Sequence, residues 1–269
     1  MMIFQQIRGA TSIITFGEKR FLIDPFFARK GSLPPVPSPL NDFANPLVEL
    51  PLPVEEITAV DAVIVTHMHH FDHFDQAAAE ALPKAMPVFT QNEREAEEMR
   101  ALGFEHVTAL CPDGVEFCGV TLYHVEALHG AGEQAARNYA AVGLDPEACG
   151  VVFRAQGEET LYLAGDTVWF PAVEEALVSF RPGVVVLNAA WAQFHDGTPI
   201  LMGPEELARV AAVAPGARLI ASHMDAVNHA RLDRSSLRAF VESRGLQDRF
   251  LIPEDGEILI LSSSPAENC

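Results

Sequence analysis

Three short runs rich in β-branched and aromatic residues open the chain, Ile3 to Ile7, Thr11 to Phe16 and Arg20 to Ile23, parted by Gly9 and the turn-like Gly17-Glu18-Lys19. Such side chains suit the half-buried pleat of a strand, so an antiparallel meander is expected here. From Pro25 to Pro53 the periodicity lapses into a segment with eight prolines. A stretch of that length without an element of its own reads as a surface loop, either a strap packed on the body or a lid facing a substrate.

Beyond it, strand and helix patterns alternate. Ala62 to Thr66 is an apolar strand, and the Ala-rich Asp75 to Leu82 reads as a helix. Pro87 to Thr90 is strand-like, and the charged helix over Glu93 to Leu102 meets a terminator in Gly103. A β-rich stretch runs from His106 through Val125, and Gly150 to Ala164 holds two strands around Gln156-Gly157-Glu158. The pattern then predicts helices near Pro171 to Ser179, Glu205 to Ala212 and Ser235 to Ser243. They are interleaved with strands at Val184 to Leu187 and Arg218 to Ala221, and strands close the chain near Phe250 and over Ile258 to Leu261. Meander followed by strand-helix alternation, twice over, suggests an α/β fold with two facing sheets and helices on the outer faces. No repeat, linker or low-complexity segment divides it, so one domain over residues 1–269 is the simplest reading.

The chemistry concentrates after one of those strands. Between His67 and Asp75, nine positions hold four histidines and two aspartates: His67, His69, His70, Asp72, His73 and Asp75. Imidazole and carboxylate suit Zn, Mn or Fe, and a loop leaving a strand end can turn several of them toward one point. Three later strands each deliver a residue of the same type near their ends: His129 after Val120 to Val125, Asp166 after Thr160 to Ala164, and His223 after Arg218 to Ala221. Strand-end loops in a layered fold converge, so these are candidates for the same site. His229 and Asn228 follow His223 closely enough to approach a substrate. His195 and Asp196 sit in a loop that could line a pocket, while His106 and His124 fall inside strand-like runs and read as packing or surface residues.

Composition narrows the partners. The formal charge of −19 repels phosphate backbones and anionic membranes, which disfavours nucleic acid and lipid surfaces and leaves a small-molecule substrate. Self-association is left open. Cys111, Cys118, Cys149 and Cys269 show no metal-type or disulfide-scaffold spacing and read as reduced thiols. No segment reads as a secretion signal or membrane span, so a soluble cytoplasmic protein is expected. No serine-nucleophile elbow or phosphate-binding glycine loop is present.

The cluster, with Ile23-Asp24-Pro25, Thr66-His67, His129-Gly130, Gly165-Asp166-Thr167 and His223, resembles the metallo-β-lactamase superfamily, whose HxHxDH loop is followed by a distant His, Asp and His. The likeness covers nearly the whole chain and is strongest to lactonase-like members related to ascorbate-phosphate lactonase. It implies a four-layered αββα sandwich and two divalent transition metal ions, Zn first, with Mn or Fe as alternatives. By the same resemblance His67, His69 and His129 would hold one ion, Asp72, His73 and His223 the other, and Asp166 would bridge them. Asp24 would orient a ligand from behind. The motif here is one residue too long: His70 and Phe71 part His69 from Asp72. An inserted residue after His69 preserves the Thr66-His67 opening that follows the strand. The other register takes His70-Phe71-Asp72-His73 as the matching half, with Met68 in the place of the first His. What the resemblance implies chemically is hydrolysis by a metal-bridging hydroxide, of an ester or lactone first, a phosphodiester second and an amide third, with Asp72 or a displaced water managing the proton. The alternative is a metal-binding scaffold or sensor that has lost turnover.

Overall fold

The computed structural model describes residues 1–144 and 146–261, so Cys269 lies outside the described residues. The first half runs β1 (Met2–Arg8), β2 (Thr11–Phe16), β3 (Lys19–Ile23), α1 (Val54–Ile57), β4 (Ala62–Val65), α2 (Gln76–Ala81), β5 (Pro87–Thr90), α3 (Glu93–Ala101) and β6 (His106–Ala109). The second runs β7 (Val115–Phe117), β8 (Val120–Leu128), α4 (Gly132–Val142), β9 (Glu147–Ala155), β10 (Leu161–Leu163), α5 (Pro171–Phe180), β11 (Val184–Asn188), α6 (Pro204–Val213), β12 (Arg218–Ser222), α7 (Arg234–Ser243), β13 (Phe250–Leu251) and β14 (Ile258–Leu261).

Among the described residues the strands form two seven-stranded sheets, ordered β14-β1-β2-β3-β4-β5-β6 and β13-β12-β11-β10-β9-β8-β7. In each, an antiparallel meander passes into a parallel portion, at β3-β4 in the first and β10-β11 in the second. The expected meander over β1 to β3 and the strand-helix alternation that follows are both present.

The strands are apolar on both faces because both faces are covered. Phe4, Phe16, Phe21, Ile23 and Ile64 of the first sheet meet Leu122, Val151, Phe153, Val184 and Ile220 of the second. Phe153 takes Phe16 and Phe21 at centroid distances of 5.7 and 5.4 Å. The alternate residues Leu22, Val63, Val65 and Val88 turn outward onto Ala78 and Met99 of α2 and α3. Val152, Tyr162, Val185 and Leu219 likewise pack on Val173 and Leu177 of α5, Leu207 and Val210 of α6, and Leu237 of α7. Each such fully buried side chain is worth about 1.5–3 kcal/mol of transfer free energy, so the helix-sheet-sheet-helix stacking is the main source of cohesion. This is the four-layered α/β fold expected.

Two elements depart from the sequence reading. The β-rich stretch from His106 resolves into β6, β7 and a β8 that continues to Leu128, where its last residues pair with β9 as far as Glu147. Between them lies α4, which the sequence reading did not predict; its buried residues are only Ala135 and Tyr139, one turn apart. A helix resting on a single contact line carries no wide apolar stripe. The Pro-rich segment is a strap with one isolated bridge, Leu33 to Asn45, and a single helical turn, α1, follows it.

Candidate metal centre

The parallel strands of both sheets, with β8, end at one rim, and the ligand-type residues sit there. Asp24 follows β3 and His223 follows β12, and both adopt left-handed backbone (φ 45° and 65°). Such strain in non-glycine residues is tolerated where surrounding bonds over-determine it. The His223 amide donates to Gly9 O at 3.0 Å, and the Asp24 amide to Ile64 O at 2.9 Å. Gly165, just before Asp166, has φ +67° and passes so close to β9 that a Cβ would stand 2.3 Å from Cys149 O. Only glycine fits that approach.

Asp24 organises the His67–His73 loop from beneath. Its Oδ1 accepts the Thr66 amide at 2.7 Å and its Oδ2 accepts the Thr66 hydroxyl at 2.9 Å. His73 Nδ1 lies 3.0 Å from the same Oδ2. Across the site, Asn188 Nδ2 donates to Asp166 Oδ1 at 2.6 Å, leaving Oδ2 to face His73, His129 and His223 at 3.1, 3.3 and 3.7 Å. Asp166 thus stands between two groups of donors, His67 with His70 and His129, and Asp72 with His73 and His223. Within each group, Asp166 counted with the first, the donor atoms lie within 4.8 Å of one another.

The donor set fits a cation. His129 Nδ1 donates to Ile200 O at 2.8 Å, which fixes the tautomer and turns the Nε2 lone pair inward. His67 Nδ1 is 3.2 Å from the Thr66 hydroxyl, whose own proton goes to Asp24, so His67 Nδ1 also donates outward. The inward nitrogens then crowd: His70 Nδ1 lies 3.3 Å from His67 Nε2 and 3.0 Å from His129 Nε2, and His73 and His223 meet Nε2 to Nε2 at 3.3 Å. Lone pairs converging in a buried space call for a Lewis acid between them, and outward carboxylate or carbonyl partners of this kind orient imidazole ligands.

Electrostatics agree for three of the rings, whereas at His73 burial opposes protonation but Asp166 and Asp24 outweigh it and hold the imidazole well above its ordinary range. Burial, then neighbouring histidines, depress His67 well below the ordinary imidazole range and His70 to about 3, and burial also lowers His129. All three are neutral near pH 7, the form that ligates a metal. Burial opposes ionisation of Asp166, but His73, His223 and His129 outweigh it and hold the carboxyl well below its usual range. Asp72 is lowered in the same way by His73 and His223.

The structure brings together His67, His70, Asp72, His73, His129, Asp166 and His223, and it leaves His69 out. This grouping differs from the register preferred from the sequence. His69 turns toward α3, where Arg94 donates to its Nε2 at 2.7 Å and Glu95 Oε1 lies 3.4 Å away. The buried Glu95 also accepts the Met68 amide at 3.0 Å, so α3 fixes the middle of the loop and His70 is the next ring free to swing inward. The extra residue therefore lies between the two inward histidines, and neither sequence register had that form. Asp24 is placed behind His73. Asn228 points away from the site into the strap, whereas His229, His195 and Asp196 line the cavity over it. His106 and His124 lie on β6 and β8, away from the cluster. Asn188 and the Ile200 carbonyl were not anticipated, since a lone Asn ending an apolar strand and a loop carbonyl carry no spacing signal.

The cavity has a volume of about 740 Å³, with His70, Asp72, His129, Asp166 and His223 at its base. Its walls are the strap (Val36, Pro37), Phe71, α4 and its exit (Tyr139, Val142, Leu144) and the 193–201 loop (Phe194, Ile200, Leu201). Tyr139 lies nearly parallel to the His70 ring, 13° between planes and 6.0 Å between centroids. Asp196 ties the loop to α4 by accepting from Gln134 at 3.0 Å and Asn138 at 2.9 Å.

Residues 19–224 match the Beta-lactamase superfamily domain. The chain is 42% identical to the UPF0173 protein YddR of Bacillus subtilis (strain 168) over 254 residues, 94% of this chain and 97% of that one. Among solved structures, an isothiocyanate hydrolase from Delia radicum gut bacteria is 40% identical, with a TM-score of 0.92 over 97% of this chain and 100% of the other. A Veillonella parvula protein described as a possible metal-dependent hydrolase is 37% identical, with the same TM-score and the same coverage of both chains. Among the described residues no helix is long and apolar enough to cross a membrane. Two structural neighbours are thus named as hydrolases, one of them as a possible metal-dependent hydrolase, and the family match over most of this chain's length, on the fold and rim described above, means that the chain belongs to the beta-lactamase superfamily.

Proposed function

We propose that this metal-dependent hydrolase of the beta-lactamase fold acts on a small neutral electrophile carrying an apolar tail, with isothiocyanates the first class and neutral esters or lactones the second. The observation that carries this reading is the cavity. Its walls are mainly aliphatic and aromatic, with Asn138, Gln193, His195 and Asp196 among them, and none of the described residues lining it is Lys or Arg. A phosphodiester would find no lysine or arginine there and would depend on the bound ions alone for counter-charge. A tail of several carbons would instead gain about 25 cal/mol per Å² buried against Val142, Leu144 and Phe194. The likeness to an isothiocyanate hydrolase over nearly the whole chain supports that class.

In this reading His67, His70 and His129 would hold one divalent cation, Asp72, His73 and His223 would hold a second, and Asp166 stands between the two donor groups. The bound ions would supply electrophilic activation and a water of lowered pKa. The chain's own residues do the rest. Asp24, Thr66, Asn188 and the Ile200 carbonyl lock the donors in place before substrate arrives, so little reorganisation is left for the reaction. Asp72, ionised and at the cavity base, would take the proton of the attacking water on a carboxylate oxygen. With one water an isothiocyanate yields an amine and carbonyl sulfide, so the nitrogen must be protonated within the cavity. Protein loaded with Zn or Mn should turn over benzyl isothiocyanate faster than a neutral lactone, and both far faster than bis(p-nitrophenyl) phosphate. Chelation should abolish the activity and metal restore it. Turnover indifferent to chelation, or a preference for the phosphodiester, would contradict the reading.

A further inference from the structure

His229 is a ring in the cavity wall that the metal cluster does not use. It ends the segment that leaves β12 at His223 and lines the same cavity as Asp72, His129, Asp166 and His223. Its Nδ1 is sealed from solvent and has no hydrogen-bond partner among the described residues. A neutral imidazole carries one N–H and one lone pair. Burying an unmatched N–H is the rarer and costlier arrangement, so the lone pair belongs on the sealed Nδ1 and the proton on Nε2, the nitrogen left on the cavity side. The ring is held there by its neighbour. Asn228 Oδ1 accepts the Val36 amide at 3.0 Å and Asn45 Nδ2 at 2.8 Å, and Asn228 Nδ2 donates to Val36 O at 2.9 Å and Asn41 O at 3.1 Å. Every polar atom of the Asn228 amide is thus spent on the strap, fixing the backbone from which His229 projects.

We propose that His229 is a catalytic residue that contacts the substrate, donating its Nε2–H to the heteroatom on which negative charge gathers as the electrophilic carbon is attacked. This rests on the hydrolase reading and adds to it the polar contact that orients a substrate held otherwise by apolar walls. A fixed donor in a water-poor cavity, aimed at developing charge, is worth about 10²–10³-fold in rate.

Two measurements test it. His229→Phe keeps an aromatic ring and removes the donor, so kcat on benzyl isothiocyanate should fall about 10²–10³-fold while KM changes little and metal content stays at the wild-type level. His229→Gln, which restores an N–H, should recover part of the loss. Independently of turnover, adding N-benzylthiourea to chelator-treated wild-type protein carrying 15N-histidine should shift the His229 Nε2 resonance. That shift without any hydrolysis by the loaded enzyme would sink the hydrolase reading and leave the contact standing. A His229→Phe protein that loses metal would make His229 a ligand instead. Wild-type kinetics in that variant, or an unmoved Nε2 signal, would likewise overturn the proposal.

Discussion

Between Thr66 and His73 the identity of each side chain is less informative than which way it faces. The sequence displays the donors openly, since four histidines crowded beside carboxylates have little use in a core. What it hides is register. His69 and His70 are adjacent and chemically equivalent, and the choice between them is made by Arg94 and Glu95, more than twenty residues further along, which capture His69 and the Met68 amide. With the loop pinned there, the His70 ring reaches His67 and His129 at its Nδ1. His70→Ala should therefore lower bound metal from about two ions per chain to about one and cut activity at least tenfold, whereas His69→Ala should keep both ions; elemental analysis of the two variants decides it. Asn188 was illegible for a related reason. It reads as the last residue of an apolar strand, and only the turn of Asp166 toward it makes it the anchor of that carboxylate.

Among elements, the strands were the most readable, because runs such as Ala62 to Val65 and Val184 to Leu187 are apolar on both faces and lie between two covering layers. Helix α4 escaped because Gly130 and Gly132 obscure its start and only Ala135 and Tyr139 face inward. It nonetheless builds one wall of the cavity, opposite a strap whose role its prolines could not reveal. The strap could have been a mere cover, yet Val36 and Pro37 line the cavity and Asn228 holds that stretch through four side-chain hydrogen bonds. Asn228→Leu keeps the volume and removes all of them. Each lost bond is worth about 0.5–1.5 kcal/mol, so the strap should loosen, with KM for a tailed substrate rising several-fold at unchanged metal content. Steady-state kinetics with short- and long-tailed isothiocyanates would show this as a larger penalty for the longer tail.

For the whole molecule, two half-structures of similar design, each a meander running into parallel strands, bring their strand ends to one rim. The first sheet supplies Asp24 and the His67–His73 loop; the second supplies His129, Asp166, Asn188 and His223. Neither half carries a complete donor set, so the site exists only where the sheets are packed face to face. Three buried carboxylates, Asp24, Asp72 and Asp166, sit within this cluster in a chain that already carries a charge of −19. Bound cations would offset that concentration of negative charge and tie the two sheets together across the rim. The most direct test is anomalous X-ray scattering from crystals of the metal-loaded protein. Two peaks about 3.5–4 Å apart are expected, one among His67, His70 and His129 and the other among Asp72, His73 and His223, with Asp166 touching both. An absence of ordered metal, or a peak held by His69 with His70 turned away, would contradict it.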